Sequence, residues 1–290
     1  MVNGFLNLWK PPGISSNEAL IRVRRIIGRE KVGHAGTLDP AAEGVLPLAF
    51  GECTRLLPFM NFNVKVYRAS VTVGTMTHSG DREGRTVARG AALVPDAVQL
   101  EWASKWLTGP IWQVPPQVSA LKSGGHRHYN TVRKGGVVWP APRQVKVAQI
   151  GSIVPSEEGW SFIAEVSSGT YIRALVRDWG YLVGIAANLS ALARLKAGPF
   201  SEEQASPLQD IESFQSSWQC FLDPWQAYFD PRRIELGVDQ ARLVSHGDTE
   251  VLDILLEEEP GVVGLTQGGR LLALVEGRPW RYRAVFEGGI

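Results

Sequence analysis

Asp39 stands in the least ordinary stretch of the chain. The segment Gly33-His34-Ala35-Gly36-Thr37-Leu38-Asp39-Pro40-Ala41-Ala42-Glu43-Gly44 sets three glycines in twelve residues around one aspartate. Glycine lets a backbone turn tightly and approach a ligand closely. Pro40 pushes the residue before it out of the helical region toward extended backbone. A carboxylate on such a stiff, irregular loop is a common way to present a reacting group. The same residues fit a second reading, with Asp39 as a helix N-cap and Pro40 as the first helical residue. Local spacing leaves both open. Asp39 and Glu43, four apart, also offer the carboxylate pair that a glycosidase needs.

Other chemistries lack their residues. No phosphate-binding G-x-x-x-x-G-K-[ST], dinucleotide-binding G-x-G-x-x-G or H-E-x-x-H segment occurs. The five histidines (His34, His78, His126, His128 and His246) form no convincing ligand set. No metal and no organic cofactor is expected. Cys53 and Cys220 belong to no CxxC pair, so both are read as buried, reduced thiols.

The elements that must position Asp39 can be read from period and punctuation. Ser15 and Glu18 have capping-box spacing, and Leu20, Val23, Ile26 and Ile27 then share one face up to Gly28. Residues 64–74 alternate like a strand. Asp96 caps a predicted helix running to Trp106, closed by Gly109-Pro110. Residues 113–143 show no period and read as a long loop, a length that is often functional. Strands follow at 144–154 and 160–166. Ser168-Gly169-Thr170 leads into a helix with Ile172, Leu175, Val176, Trp179, Leu182 and Val183 on its buried side, stopped by Gly184. A boundary is expected near residues 225–235. Beyond it, residues 264–273 read as a hairpin with a glycine turn and residues 279–286 as another strand.

Charge is distributed unevenly. The 290 residues balance at +1, yet residues 1–150 carry 19 Lys/Arg against 9 Asp/Glu, and residues 201–290 carry 7 against 16. Between Trp102 and Ser156 lie seven basic residues and no acid. Such a stretch, with Lys122, Arg127, Arg133 and Lys134 in it, calls for an anion: a polyphosphate is one candidate and the chain's own acidic C-terminal third the other. With 44% hydrophobic residues the chain can build a core. It has no run of about 18 apolar residues and no signal-peptide pattern at its start. A cytoplasmic protein without a membrane span is the expectation.

Several segments, taken together and in order, carry more than Asp39 alone. Lys31-Val32-Gly33-His34-Ala35-Gly36-Thr37-Leu38-Asp39-Pro40, with Ala42-Glu43-Gly44-Val45-Leu46-Pro47, resembles the signature of the TruB-type tRNA pseudouridine-55 synthases. Lys10-Pro11-Pro12-Gly13-Ile14-Ser15-Ser16 is similar to that family's N-terminal segment, and Lys65-Val66-Tyr67-Arg68 to its tyrosine-bearing strand. Gln117-Val118-Ser119-Ala120-Leu121-Lys122, Ser168-Gly169-Thr170-Tyr171-Ile172-Arg173 and Leu192-Ala193-Arg194-Leu195 resemble three further motifs. The likeness covers about residues 5–200.

The resemblance implies an α+β fold. It would comprise a large mixed, mainly antiparallel sheet with packed helices over residues 1–230, and a small β-rich, PUA-like module over residues 231–290. It implies isomerisation of uridine 55 in the T loop of tRNA by base flipping, by a monomer with no protein partner. Asp39 would be the essential carboxylate, attacking either the uracil ring or the ribose anomeric carbon. Tyr67 would stack on the flipped base, Arg173 would pair with Asp39, and Tyr171 would line the pocket. His34 would occupy the space the nucleotide leaves, Lys10 and Asp81 would join the RNA-binding set, and Lys122, Arg127, Arg133 and Lys134 would clamp an RNA stem-loop through its phosphates. Two departures stand out. The family's acidic Thr-Asp-Thr-x-Asp run here reads Thr77-His78-Ser79-Gly80-Asp81, and the C-terminal third is too acidic to grip phosphate easily. A non-catalytic RNA-binding protein on the same scaffold and an RNA-guided branch of the family are the competing readings; the catalytic set favours an enzyme, and the absence of basic extensions favours one that acts alone.

Overall fold

Alternating Val, Tyr and Ala residues from Val64 to Val73 become a central strand of a ten-stranded sheet in a computed structural model. The structure describes residues 2–28, 31–118, 122–123, 126–127, 139–256, 261–277 and 279–290, with backbone alone at 122–123, 126–127, 215–216 and 218. The strands are β1 (Gly4–Lys10), β2 (Val32–His34), β3 (Glu43–Phe50), β4 (Val64–Val73), β5 (Thr75–Thr77), β6 (Thr86–Arg89), β7 (Gly109–Gln113), β8 (Lys122–Ser123), β9 (His126–Arg127), β10 (Arg143–Ser156), β11 (Gly159–Ser167), β12 (Ala187–Ala197), β13 (Phe200–Ser201) and β14 (Ser206–Pro207). After these come β15 (Arg232–Glu235), β16 (Val262–Gln267), β17 (Arg270–Glu276) and β18 (Arg281–Val285). The helices are α1 (Ser16–Ile27), α2 (Ala97–Trp106), α3 (Ile172–Leu182), α4 (Leu208–Ser213), α5 (Val238–Ser245) and α6 (Glu250–Leu255).

The large sheet runs β14-β1-β3-β12-β4-β11-β10-β7, with β2 beside β3 and β13 beside β12. Its pairs are antiparallel except β1 with β14 and β3 with β12. It is therefore mixed and mainly antiparallel. The odd positions of β4 (Tyr67, Ala69, Val71 and Val73) face a core shared with α2 and α3. Trp179 anchors that core, with ring centres 5.5 Å from Trp160 and 5.0 Å from Phe162. Such pairs add about 0.5–1.5 kcal/mol beyond simple burial. On the β1–β3 side, α1 lays Ala19, Val23 and Ile27 against Leu6, Leu8 and Leu48.

The parallel β3–β12 contact rests on one glycine. Gly44 has φ +113°, and a Cβ there would stand 2.3 Å from the Arg194 carbonyl oxygen. Only a residue without a side chain lets these strands meet.

The second sheet runs β15-β16-β17-β18. Gly268 and Gly269, both at positive φ, turn β16 into β17, the geometry that two-residue hairpins favour. One side of this sheet packs Leu271, Leu274 and Ala284 against Phe5, Val45 and Ala49 of the large sheet. The other side is covered by α5 and α6, which the strand pattern gave no reason to expect.

Several local expectations need correction. Ser15 does accept the Glu18 N–H, but Glu18 turns to Arg22 at 2.9 Å instead of completing the box. Asp96 and Gln99 do form a reciprocal box on α2. Leu182 is exposed, because α3 ends there and its last turn faces solvent. Cys53 is buried, its thiol pushed up to about 12 by desolvation, whereas Cys220 is exposed. The loop expected at 113–143 contains the β8–β9 hairpin, and its residues 119–121, 124–125 and 128–138 lie outside the described residues. Among the described residues no helix is long and apolar enough to cross a membrane.

Candidate active site

The loop carrying Asp39 is held almost residue by residue. Arg194, fully buried on β12, donates to the carbonyls of Gly36 (3.1 Å), Thr37 (3.4 Å) and Val45 (2.8 Å). Ser16 accepts the Leu38 N–H at 2.8 Å and donates its hydroxyl to the Leu38 carbonyl at 3.1 Å. Lys10 donates its ammonium to Pro40 O at 3.3 Å and to the Pro11 and Ile14 carbonyls at 2.8 Å. The N–H groups of Gly13 and Ala42 donate to Pro40 O and Asp39 O. After Pro40 the chain makes a turn and enters β3 at Glu43. The N-cap reading of Asp39 therefore falls, since no helix follows it. Glu43 is absent from the cleft lining, so it gives Asp39 no second carboxylate there.

Asp39 itself is half exposed and meets one buried cation. The Arg173 Nε lies 2.9 Å from Asp39 Oδ2. The other arms of this guanidinium donate to Ser79 O at 2.8 Å and Val118 O at 3.0 Å, and face Asp81 at 3.4 Å. Asp81 is held in turn by the Ser79 hydroxyl at 2.7 Å and the Glu83 N–H at 3.2 Å. Arg173 is thus fixed in a planar fork with nearly every donor used, which is the geometry that aims a carboxylate.

Asp39 and Arg173 open on a cleft of about 230 Å³, with Lys65, Tyr67, Arg143, Tyr171 and Leu192 also lining it. Tyr67 is 7% exposed and sits in register with Ala164 of β11 and Arg194 of β12. Tyr171 precedes α3; its backbone N–H and carbonyl are both taken by the Gln113 side chain, at 2.8 and 3.1 Å. The Arg143 guanidinium lies 4.8 Å over the Tyr171 ring and donates to the Gly169 carbonyl.

The sequence candidates thus divide. Asp39, Tyr67, Tyr171 and Arg173 converge on the cleft. Asp81 sits behind Arg173 as its second carboxylate. His34 lies on β2, outside the cleft lining, with Nδ1 buried and unpartnered; burial, then the nearby Arg194 charge, lower its pKa. Lys10 corrects the expectation of an RNA contact. It is 0% exposed, its ammonium meets three carbonyls, and burial brings its pKa down to about 8. Lys122 and Arg127 pair through their backbones in the β8–β9 hairpin. Arg133 and Lys134 lie outside the described residues.

Two cleft residues, Lys65 and Arg143, and the buried support of the Asp39 loop, Arg194, lie outside the sequence candidates. Lys65 lies two positions from Tyr67 on one strand, so period-2 alternation could have placed both on the same face. Its ammonium approaches the Ser168 hydroxyl at 3.4 Å, and burial, then Arg194, lower its pKa to about 8. Arg143 was counted only as charge. Arg194 stood within a quoted motif, but no local signal could show which carbonyls it would meet.

Comparisons with known proteins follow this geometry. A model described as TruB family pseudouridylate synthase (N terminal domain) matches residues 24–172. The tRNA pseudouridine synthase B of Thermobifida fusca (strain YX) is 38% identical over 288 residues, spanning 96% of each chain. That of Streptococcus gordonii is 36% identical over 296 residues, spanning 97% of this chain and 98% of the relative. Among solved structures, a chain of a Cbf5-Nop10-Gar1 complex superposes with a TM-score of 0.69 at 25% identity, over 94% of this chain and 78% of that one. A chain of an H/ACA RNP bound to a substrate RNA containing 2'-deoxyuridine gives 0.69 at 23% identity, with the same coverage, and so shares the fold.

Proposed function

This chain belongs to the TruB family of pseudouridylate synthases, and on that premise we propose that its cleft isomerises uridine 55 in the T loop of tRNA, with Asp39 as the reacting carboxylate. The coarser activity, conversion of uridine to pseudouridine in tRNA, is that of the relatives it matches almost end to end. The observation that carries the residue assignment is the 2.9 Å pair between Arg173 and Asp39 at the floor of the cleft.

The chemistry is internal to one nucleotide. The C1′–N1 bond breaks, the detached uracil turns, a C1′–C5 bond forms, and the C5 proton leaves while N1 gains one. No atom enters or departs overall, so no redox partner is called for. Asp39, aimed by Arg173, adds to uracil C6 or to ribose C1′; both routes need the same carboxylate beside the base. Tyr67 lies against the base, and with Leu192 it keeps the free uracil from drifting during the turn. Flipping the nucleotide costs a few kcal/mol. Stacking on an aromatic ring returns about 1–3 kcal/mol per base. Lys65 and Arg143, both cations of the cleft lining, are placed to meet phosphate. The target is a free tRNA, acted on by a monomer without a partner protein, in the cytoplasm.

An unmodified tRNA transcript, incubated with the protein and mapped for pseudouridine, tests this beside Asp39→Asn. Product at the T-loop uridine with wild type alone is the expected result. No product from wild type, with tight RNA binding in both, would make this an RNA-binding scaffold.

A further inference from the structure

Beside the cleft lies a second cavity of about 400 Å³, and Arg173 is a wall of both. Arg85, Arg173, Arg177 and His78 line it together with the rings of Trp139 and Tyr181, and no carboxylate does among the described residues. Two of the arginines are occupied: Arg173 by Asp39 and Asp81, Arg177 by Asp178 at 2.8 Å. Arg85 is exposed and has no ion-pair partner among the described residues. Trp139 is 84% exposed and Tyr181 61%, so two large flat faces stand in water.

Cations, aromatic faces and no acid describe the recognition of an anion with a flat apolar body. That is a nucleotide, taken by stacking and by phosphate contact. A strand whose uridine enters the cleft has a neighbour on each side, and the wall shared through Arg173 gives one of them a route into this groove. RNA loops are read with such splayed bases. We propose that this groove holds the nucleotide adjacent to the target uridine, with Trp139 as the platform for its base and Arg85 as the contact for its phosphate. The inference rests on the RNA-modifying reading above and adds to it a second base site.

The test is a binding cycle on an RNA stem-loop, intact or abasic at the nucleotide on either side of the target. Trp139→Ala and Arg85→Gln change exposed side chains and leave the core alone. Removing one neighbouring base is expected to weaken wild-type binding by about tenfold. Trp139→Ala weakens the intact RNA by a similar factor, and the two losses do not add, which identifies that base as the partner of that ring. Arg85→Gln lowers the slope of log affinity against log salt by about one. Losses that simply add on both sides, or no loss from Trp139→Ala, would overturn the site. Pseudouridine formation by wild type in the same stem-loop is measured in parallel. If that product is missing, the isomerase reading fails on its own, while the binding cycle still judges the groove.

Discussion

The sheet around the cleft and the sheet at the C-terminal end bury different kinds of side chain. Beneath the cleft, Lys10, Ser16, Arg173 and Arg194 are all under 5% exposed. From residue 232 onward, Thr266 is the one buried polar residue among those described. Charge along the chain is uneven too, at +10 over residues 1–150 and −9 over residues 201–290. Taking a charge out of water costs several kcal/mol, and the C-terminal sheet avoids that cost by packing aliphatic chains. The first region carries it because carbonyl oxygens of the Asp39 loop need donors where water cannot reach. Positioning and stability are thus separated in space: cations fix the loop, and apolar cores hold the molecule together.

That separation can be broken or sharpened by experiment. Asp39→Asn should lower turnover by about 10⁴-fold or more, with RNA affinity changed only a few-fold. Single-turnover kinetics beside equilibrium binding check this, and a loss shared equally by both would recast Asp39 as a binding group. Arg194→Met leaves the carbonyls of Gly36, Thr37 and Val45 without their donor, at about 1–3 kcal/mol for each one left unsatisfied. A loosened loop should also cut turnover by about 10²-fold. If the melting temperature falls while turnover per folded molecule holds, the clamp serves stability alone.

Lys65 offers a smaller effect. Its pKa of about 8 in the free cleft would rise beside a phosphate, because a nearby anion favours the charged form. Binding then takes up a proton above pH 8, so affinity falls as pH rises from about 8 to 10, by at most about tenfold per pH unit for one linked proton. Lys65→Met should flatten that slope, and equal slopes in both proteins would remove Lys65 from the phosphate site. The smallest effect on turnover belongs to the other region. Leu274→Ala, at a fully buried position, should cost about 2–5 kcal/mol of stability. Turnover of the folded fraction should hold within about twofold; a larger drop would mean that the C-terminal sheet also helps shape the cleft.

Much of the cleft was legible before any coordinates. Asp39, Tyr67, Tyr171 and Arg173 were named from motifs, and all four meet. Lys10, which the resemblance would put among the RNA contacts, is buried against carbonyls instead. Its carbonyl partners Ile14 and Pro40 come together only when β1 and the Asp39 loop fold against each other. His34 and Asp81 were placed near the RNA. One stands on an edge strand outside the cleft, the other braces Arg173 from behind. The groove with Arg85 and Trp139 left no trace in sequence, because its lining is gathered from four separate stretches.

By itself the sequence determined the strand periods, the helix faces, the glycine turns and the presence of a carboxylate on a stiffened loop, since all of these depend on neighbours a few residues apart. The tertiary structure alone decided which buried cation meets which carbonyl, that Asp81 also faces the Arg173 fork, and which of Asp39's two local readings holds. Those outcomes depend on hydrogen bonds between residues as much as 158 positions apart, and no local pattern encodes a partner that only the folded sheet brings within reach.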